Sequence, residues 1–316
     1  MTTSAVMPRG RDRTVSPTRA ALHRALRGTQ ARAGLVCLGL VLGLALLAPL
    51  LVALEGQHVG QFDGAAVDAA TGGTPIGPFG GVSSRHWLGV EPGTGRDLLA
   101  LIAYGTRTSI GIAAGATLLA ASFGVLVGLA MGYSGGWFEA VMGRFVDFMF
   151  GFPSLLFLIA VQLIVPPEFP RALLITLALA FFGWVGTARL VHGQAAALSR
   201  REFVLAARAS GTPVHRILTG ELLPNLVGTV VVVVALQFPG TVGVGAGLSF
   251  LGIGVGPQTP ELGRLIGQSI TWTYTGADPW YLLFPGATLF LLVLGSTLLG
   301  DSLRDAFDVR LDGGVA

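Results

Sequence analysis

Lysine is absent from this chain of 316 residues, and all 20 basic side chains are arginine. A P-loop requires a lysine to reach the nucleotide phosphates, so the absence excludes a Walker-type nucleotide site in this chain. Catalysis through a lysine Schiff base is excluded for the same reason. We therefore expect that this chain does not hydrolyse ATP itself.

Cysteine is nearly absent as well. The single Cys37 lies within an apolar run and cannot form an internal disulfide, so cysteine usage leaves the redox compartment open. The five histidines share no ligand spacing, and no nucleophile stands beside a suitable base in the sequence. We expect no metal site, no cofactor site and no catalytic site formed by this chain alone.

Charge is scarce, and apolar residues replace it. Only 12% of the residues are charged, against about 25% in an average soluble domain. Hydrophobic residues make up 52% of the chain, and the mean hydropathy is +0.70. The 47 glycines are typical of closely packed membrane helices. This composition indicates an all-α membrane protein.

Six apolar runs predict about six transmembrane helices. Each is near the length of about 20 residues that crosses a hydrocarbon core of about 30 Å. A cleaved signal peptide is the alternative for the first run, which is long for that role and lacks a clear cleavage site. The runs are residues 33–54, 107–132, 138–164, 171–193, 226–250 and 281–300.

Arginine is distributed unequally between the segments that connect these runs. If the N-terminus is inside, the inside segments hold 15 arginines and the outside segments hold 5. Cytoplasmic segments of membrane proteins carry the excess of basic residues. We therefore expect both termini to be cytoplasmic, and residues 1–33, with seven arginines and one acid, to be a disordered tail near anionic headgroups.

A polar segment, residues 201–225, separates the fourth and fifth apolar runs. It predicts a short helix, a break at Gly211, and a second short helix that ends at Pro224. Thr212 is a candidate N-cap, and Pro213 suits the first turn because proline lacks the N–H that is unpaired there. A polar helix–Gly–helix on the cytoplasmic surface of a membrane protein predicts a docking element for a soluble partner.

Glycines inside the apolar runs predict two further features. Two glycine series, Gly111 with Gly115 and Gly124 with Gly128 and Gly132, place small residues on one helix face and predict close helix–helix packing, within the bundle or against another subunit. Residues 243–256 contain six glycines, which predicts a broken or re-entrant segment lining a cavity.

Two further expectations concern polar and aromatic side chains. Arg144 and Asp147 lie three residues apart, which predicts an ion pair within one helix. Trp272, Trp280 and Tyr281 suit the membrane–water interface.

The polar segment resembles the conserved cytoplasmic loop of binding-protein-dependent ABC importers. That loop has Glu-Ala-Ala, three residues, Gly, about nine residues, and Leu-Pro. Here Ala206 and Ala207 precede Gly211 at the same spacing, and Leu223-Pro224 closes the pattern. Leu205 stands in place of the glutamate of the pattern, while Glu202 lies one turn earlier.

Residues 30–310 are similar to the permeases of dipeptide and oligopeptide ABC importers, of the second-subunit (DppC or OppC) type. The family's Trp-Gly before the last outside segment is Leu262-Gly263 here, and the first loop has extra residues around 60–80. The segments that carry the resemblance are His86-Trp87-Leu88-Gly89-Val90, Gly95-Arg96-Asp97, Tyr104-Gly105-Thr106-Arg107-Thr108-Ser109, Gly132-Tyr133-Ser134-Gly135-Gly136-Trp137, Met142-x-Arg144-x2-Asp147, Phe152-Pro153-Ser154, Gly193-Gln194, Leu248-Ser249-Phe250-Leu251-Gly252, Phe284-Pro285-Gly286 and Gly300-Asp301-x-Leu303-Arg304-Asp305.

The resemblance implies a type I importer permease fold and a multi-pass protein of the cell membrane. It implies a homologous second permease that completes the pathway, one or two ATPase subunits that bind ATP and Mg, and an extracytoplasmic substrate-binding protein, with membrane lipid around the bundle and no nucleic acid. Residues 200–225, hereafter the coupling loop, would dock on the ATPase. Its candidate contact residues are Glu202, Ala206, Ala207, Arg208, Gly211, Pro213, Arg216 and Pro224.

The predicted organisation has four parts: the tail 1–33, a first transmembrane helix with a long external loop (34–100), a core of five transmembrane helices (101–310), and a short tail (311–316). Peptides are the expected substrate, with nickel or glutathione as the alternative because similar permeases serve all three. A secondary transporter requires internal repeats and paired intramembrane ionisable residues, and neither is apparent. The residues that contact substrate are not predicted.

Overall fold

The computed structural model describes residues 28–166, 168–256, 258–274 and 278–312, with side chains up to residue 307. The predicted Arg-rich tail lies outside the described residues except for its last six positions. Most of the predicted tail after residue 310 also lies outside them.

Helices dominate the described part of the chain. The first external loop, between α2 and α4, contains the short helix α3 and two short strands. The helices are α1 (Thr29–Leu46), α2 (Ala48–Glu55), α3 (Pro78–Gly81), α4 (Leu98–Ser134), α5 (Gly136–Gly151), α6 (Ser154–Ile164), α7 (Arg171–Ser199), α8 (Glu202–Ala209), α9 (Val214–Arg216), α10 (Leu223–Phe250), α11 (Leu262–Tyr274) and α12 (Trp280–Asp312). A π-helical segment, Ile217–Leu222, joins α9 to α10.

The first external loop contains a small hairpin. Strands β1 (Val67–Asp68) and β2 (Thr74–Pro75) pair antiparallel. A 3₁₀ turn at Gly64–Ala66 precedes β1, and a second one at Ala69–Thr71 lies between the two strands. Asp63 and Asp68 start these turns because each side chain accepts a hydrogen bond from the backbone N–H two residues later.

The predicted number of membrane spans, about six, agrees with the structure. Five helices in the described residues are long and apolar enough to cross a membrane, and α5 with α6 makes a sixth if this bent pair is one span. The pair bends by 79° at Phe152-Pro153, inside the predicted run 138–164. The bend follows from Pro153, which cannot donate the helical N–H bond and clashes with the preceding turn.

Helices α4 and α7 form the centre of the bundle, and glycine makes their contact possible. A Cβ on Gly124 would lie 2.6 Å from the carbonyl oxygen of Trp184, and one on Gly128 would lie 2.6 Å from that of Ala188. A Cβ on Gly132 would lie 2.6 Å from the Cβ of Ala195. The predicted close packing is therefore confirmed at these three glycines, and its partner is a helix of the same chain, whereas a Cβ on Gly111 would meet no atom of the described part of this chain within 4 Å. Both helices end at the same end of the bundle, because Gly124, Gly128 and Gly132 meet progressively later residues of α7.

The structure corrects two sequence expectations. The glycine-rich segment 243–256 breaks only in its second half: residues 243–247 continue α10, whereas Gly252 and Gly254 lie in the loop after it and line a cavity. Asp147 pairs with Arg189 of α7 and not with Arg144.

The side chain of Tyr281 is 1% exposed and packs in a cluster with Leu98, Leu101 and Leu265.

The hydroxyl of Tyr281 donates to a buried ion pair that fixes the external loop. Arg96 donates to both carboxylate oxygens of Glu91, at 2.5 and 2.8 Å, and Tyr281 donates at 2.7 Å. Burial raises the pKa of Glu91, but hydrogen bonds from Arg96, Thr94 and Tyr281 outweigh it, so the pKa lies below its ordinary value. The loop is thereby joined to the start of α12.

Candidate coupling surface

Helix α8 ends in a backbone motif that requires glycine. Gly211 has φ +72°, and its N–H bonds to the carbonyl of Arg208 at 3.0 Å. The N–H of Thr212 bonds to the carbonyl of Ala207 at 3.0 Å. These two bonds form a Schellman motif, whose left-handed residue is usually glycine. The predicted break at Gly211 is confirmed with a defined geometry.

One face of α8 is anchored to the bundle. Val204 is fully buried and packs with Leu129 of α4, Val191 of α7 and Leu226 of α10, while Ala207 packs at the edge of this cluster. Arg208 lies over the ring of Tyr133 at 4.1 Å and donates to the Tyr133 carbonyl at 3.2 Å. The position of α8 is thus set by the ends of three membrane helices.

The opposite face of α8 is exposed and mixed in character. Glu202, Leu205 and Ala206 are spaced i, i+3 and i+4, so they share one helix face. All three are exposed, with half of Leu205 accessible. Phe203 and Val214 add accessible apolar surface to the coupling loop. The motif does not include these two residues, although exposed apolar side chains in a polar segment are a signal for docking.

The second half of the coupling loop differs from the prediction. Pro213 holds the N-cap position with extended backbone, so Thr212 is not the cap and α9 begins at Val214. The chain does not stop at Pro224, which lies in the first turn of α10. The N–H of Leu223 bonds to the carbonyl of Leu218, five residues earlier. This wider π turn lets the helix pass a proline that has no N–H to donate.

The structure brings the candidate residues to one end of the bundle, hereafter the coupling end. Gly211, Pro213 and Arg216 are exposed at the turn between α8 and α9, and Pro224 is exposed farther along. Ala207 and Arg208 contact the chain itself, and Glu202 and Ala206 face away from it. The opposite end of the bundle, where α10 ends and α11 begins, is the distal end.

Within the described ranges, no group of three or more His, Cys, Asp or Glu side chains is arranged to hold a metal ion. The coupling loop contains carboxylate, guanidinium and apolar groups on its exposed face, which suit a protein surface. Together with the bundle, it defines a class: a multi-pass helical membrane protein that carries an ordered, exposed helix–Gly–helix element at one end.

Comparison with known proteins identifies the family. Residues 124–313 match the model of the family "Binding-protein-dependent transport system inner membrane component". The chain belongs to this family, and it is a multi-pass permease subunit of an ABC transporter of the cell membrane, with the type I importer fold. Membership implies ABC transporter partners, including an ATPase and a substrate-binding protein.

Among its relatives is a dipeptide transport system permease protein DppC of Alkalihalophilus pseudofirmus. It is 33% identical over 297 residues, which cover 94% of this chain and 91% of the relative. An oligopeptide transport system permease protein OppC of Mycobacterium tuberculosis is 36% identical, and the match covers 71% of this chain and 76% of the relative. A glutathione transport system permease protein GsiD of Pectobacterium atrosepticum is 35% identical, and the match covers 73% of this chain and 75% of the relative.

Proposed function

We propose that this permease imports di- or oligopeptides and is driven by ATPase subunits that dock on the coupling loop. The observation that carries the proposal is the rigid helix–Gly–helix at the coupling end of a bundle whose relative over 94% of the chain is a dipeptide permease. A homologous second permease completes the pathway, and ATP and Mg bind to the partner ATPases. This chain contributes no catalysis, binds no nucleic acid, and keeps both termini and the coupling loop in the cytoplasm.

The coupling loop is built to transmit movement. Val214 to Phe250 is one helical stretch of 37 residues, so the docking turn is continuous with a membrane helix about 55 Å long. The Schellman motif and the cluster around Val204 hold α8 against the base of this stretch. When the ATPase pair closes on ATP, displacement of α8 moves the base of α10. Because α10 is continuous with this base, its far end moves as well.

Individual residues have separate roles in this proposal. Glu202, Leu205 and Ala206 form the face that enters the ATPase groove. Glu202 supplies the acid that the family pattern places at Leu205, since both project from the same side. Arg216 reaches the ATPase, whereas Arg208 positions α8 through Tyr133. Pro213 and Pro224 shape the second helix.

Nickel or glutathione is the alternative cargo. The glutathione permease among the relatives is similar to this chain at the same level as the oligopeptide permease. Cargo choice rests largely on the substrate-binding protein, so the permease fold is compatible with each. A set of uptake assays with a dipeptide, nickel and glutathione separates them.

The test is transport and ATPase activity of the complete transporter in liposomes, with Gly211→Asp. A side chain at Gly211 meets open space within this chain, but the left-handed backbone there (φ +72°) strains any residue that has a Cβ. The substitution therefore disturbs the turn between α8 and α9 locally and leaves the packing of the membrane helices intact. We expect ATP hydrolysis to continue while uptake falls at least roughly tenfold, the size expected when a buried interface contact is lost.

The control is Gly56→Asp. Gly56 also follows a helix with a left-handed backbone (φ +78°) and open space around it, but it lies outside the coupling loop. Uptake by this variant should remain near wild type. Normal uptake by Gly211→Asp would overturn the assignment of the coupling loop.

A further inference from the structure

A polar pocket lies at the distal end of the bundle, at the far end of α10 from the coupling loop. Its volume is about 440 Å³, within the range of ~300–1,000 Å³ that is usual for small-molecule sites. The residues that line it are Ser249, Phe250, Leu251, Gly252, Gly254, Val255, Arg264, Gly267 and Gln268.

Three of the nine residues that line the pocket are glycine. Gly252 and Gly254 lie in the loop after α10, and Gly267 lies where α11 packs on the end of α10. A Cβ on Gly267 would lie 2.7 Å from the carbonyl oxygen of Phe250. The loop is held in place from the other side, because the amide of Gln162 in α6 donates to the carbonyl of Ile253 at 3.3 Å. These contacts fix the backbone around the pocket.

Arg264 is the only charged residue among those that line this pocket, and it has no carboxylate partner within the described part of the chain. Its guanidinium donates to the carbonyl of Gly256. The two nearby acids, Glu261 and Glu91, accept hydrogen bonds from other donors. Glu261 accepts from Ser109 and from the backbone N–H groups of Gly263 and Arg264.

The second acid, Glu91, is saturated by Arg96, Thr94 and Tyr281. Burial lowers the pKa of Arg264, and the charge of Arg96 lowers it further. An anion in the pocket would counter both effects, because it would stabilise the charged form of a half-buried cation that has lost part of its hydration.

We propose that this pocket is a substrate subsite in which Arg264 binds the carboxylate of a peptide. The proposal rests on the peptide import proposed above. The Gln268 amide and the Ser249 hydroxyl suit the amide groups of a peptide, while Arg264 suits its terminal carboxylate. The pocket lies at the distal end of α10, the helix that the coupling loop moves in the function proposed above.

The first experiment measures binding directly on the complete transporter in liposomes. Phenylglyoxal modifies arginine, and mass spectrometry follows modification at Arg264. Dialanine and its C-terminal amide are the probes, because they differ only in the carboxylate. We expect dialanine to slow modification of Arg264 and the amide to have no effect. Equal protection by both probes, protection by neither, or full protection by anionic lipid alone overturns the proposal.

The second experiment compares uptake of the two probes by variants. Arg264→Gln should reduce uptake of dialanine by roughly 10-fold or more, the effect of losing a charged hydrogen bond, and leave uptake of the amide unchanged. Arg264→Lys should retain part of the preference because it keeps the charge without the planar fork. Arg85→Gln, at an exposed arginine of the first external loop, should behave as wild type.

The two experiments distinguish this proposal from the peptide function. If wild type imports neither probe but dialanine protects Arg264, the peptide function fails and the carboxylate site stands. If wild type imports dialanine and Arg264→Gln imports it equally well, the peptide function stands and the subsite is refuted.

Discussion

Val204 and Leu205 are neighbours in α8 with opposite surroundings. Val204 is 0% exposed and is enclosed by membrane helices, whereas Leu205 is 50% exposed. A helix turns by about 100° per residue, so adjacent residues reach different faces. At this scale, the coupling loop separates a residue that anchors it from one that faces outward.

Val204→Ala should loosen α8. Loss of its buried methyl groups should lower the free energy that holds the short helix α8 against the bundle by about 1–3 kcal/mol. Hydrogen–deuterium exchange of residues 202–209 should become faster in the isolated permease.

Leu205→Ala is the matched variant. It should leave exchange unchanged and lower the coupling of ATP hydrolysis to uptake in the complete transporter. Faster exchange in Leu205→Ala than in Val204→Ala would contradict the assigned orientation of α8.

Arg208 has a different role in the structure from the one that the sequence predicts. In the sequence it is a candidate contact residue for the ATPase. In the structure its guanidinium lies on Tyr133, 75 positions earlier in the chain. A contact across that sequence distance leaves no local pattern, so residue type alone did not predict it.

Helices α4 and α7 depend on glycine at defined positions. Gly128 allows the backbone of Ala188 to approach, while Gly111 on the same helix has open space around its Cα. The same residue type therefore has two roles within one element. A glycine in a helix is a packing site only if a neighbour occupies the space of the missing side chain.

Gly128→Ala should destabilise the permease by about 1–3 kcal/mol, because the added methyl group overlaps the backbone of α7. Gly111→Ala should be neutral or stabilise it by up to about 1 kcal/mol through helix propensity. Thermal unfolding of the purified protein in detergent compares the two. An equal loss of stability in both variants would show that the α4–α7 contact is not as close as described.

The second helix of the coupling loop illustrates a limit of local rules. Pro224 was expected to end a helix, as proline commonly does. The π turn at Ile217–Leu222 absorbs the missing hydrogen bond, and burial of Ile217 and Leu222 holds that turn in place. Tertiary packing outweighs the tendency of proline to end a helix, and the result is one continuous helical stretch instead of two separate helices.

We propose a function for each end of the whole molecule. The coupling loop lies at one end, and the pocket of Arg264 lies at the other. Arginine is concentrated on the side assigned to the cytoplasm, 15 residues against 5, and this bias fixes the orientation of the bundle in our proposal.

Cysteine labelling tests that orientation. Cys37→Ser provides a background without cysteine, because the chain has no other. In this background, Ser84→Cys in the first external loop and Ser134→Cys at the end of α4 place one exposed thiol at each end. A membrane-impermeant maleimide should label Ser84→Cys in intact cells and Ser134→Cys only after permeabilisation. The reverse pattern would invert the topology.

The sequence by itself determined the number of membrane spans, the place of the coupling loop and its break at Gly211. Each of these follows from local properties: the length of an apolar run, the composition of a segment, or the backbone freedom of glycine. Only the tertiary structure decided the partner of Asp147, the two faces of α8, the passage through Pro224 and the pocket around Arg264. These depend on which helices meet, and such contacts join residues far apart in the chain.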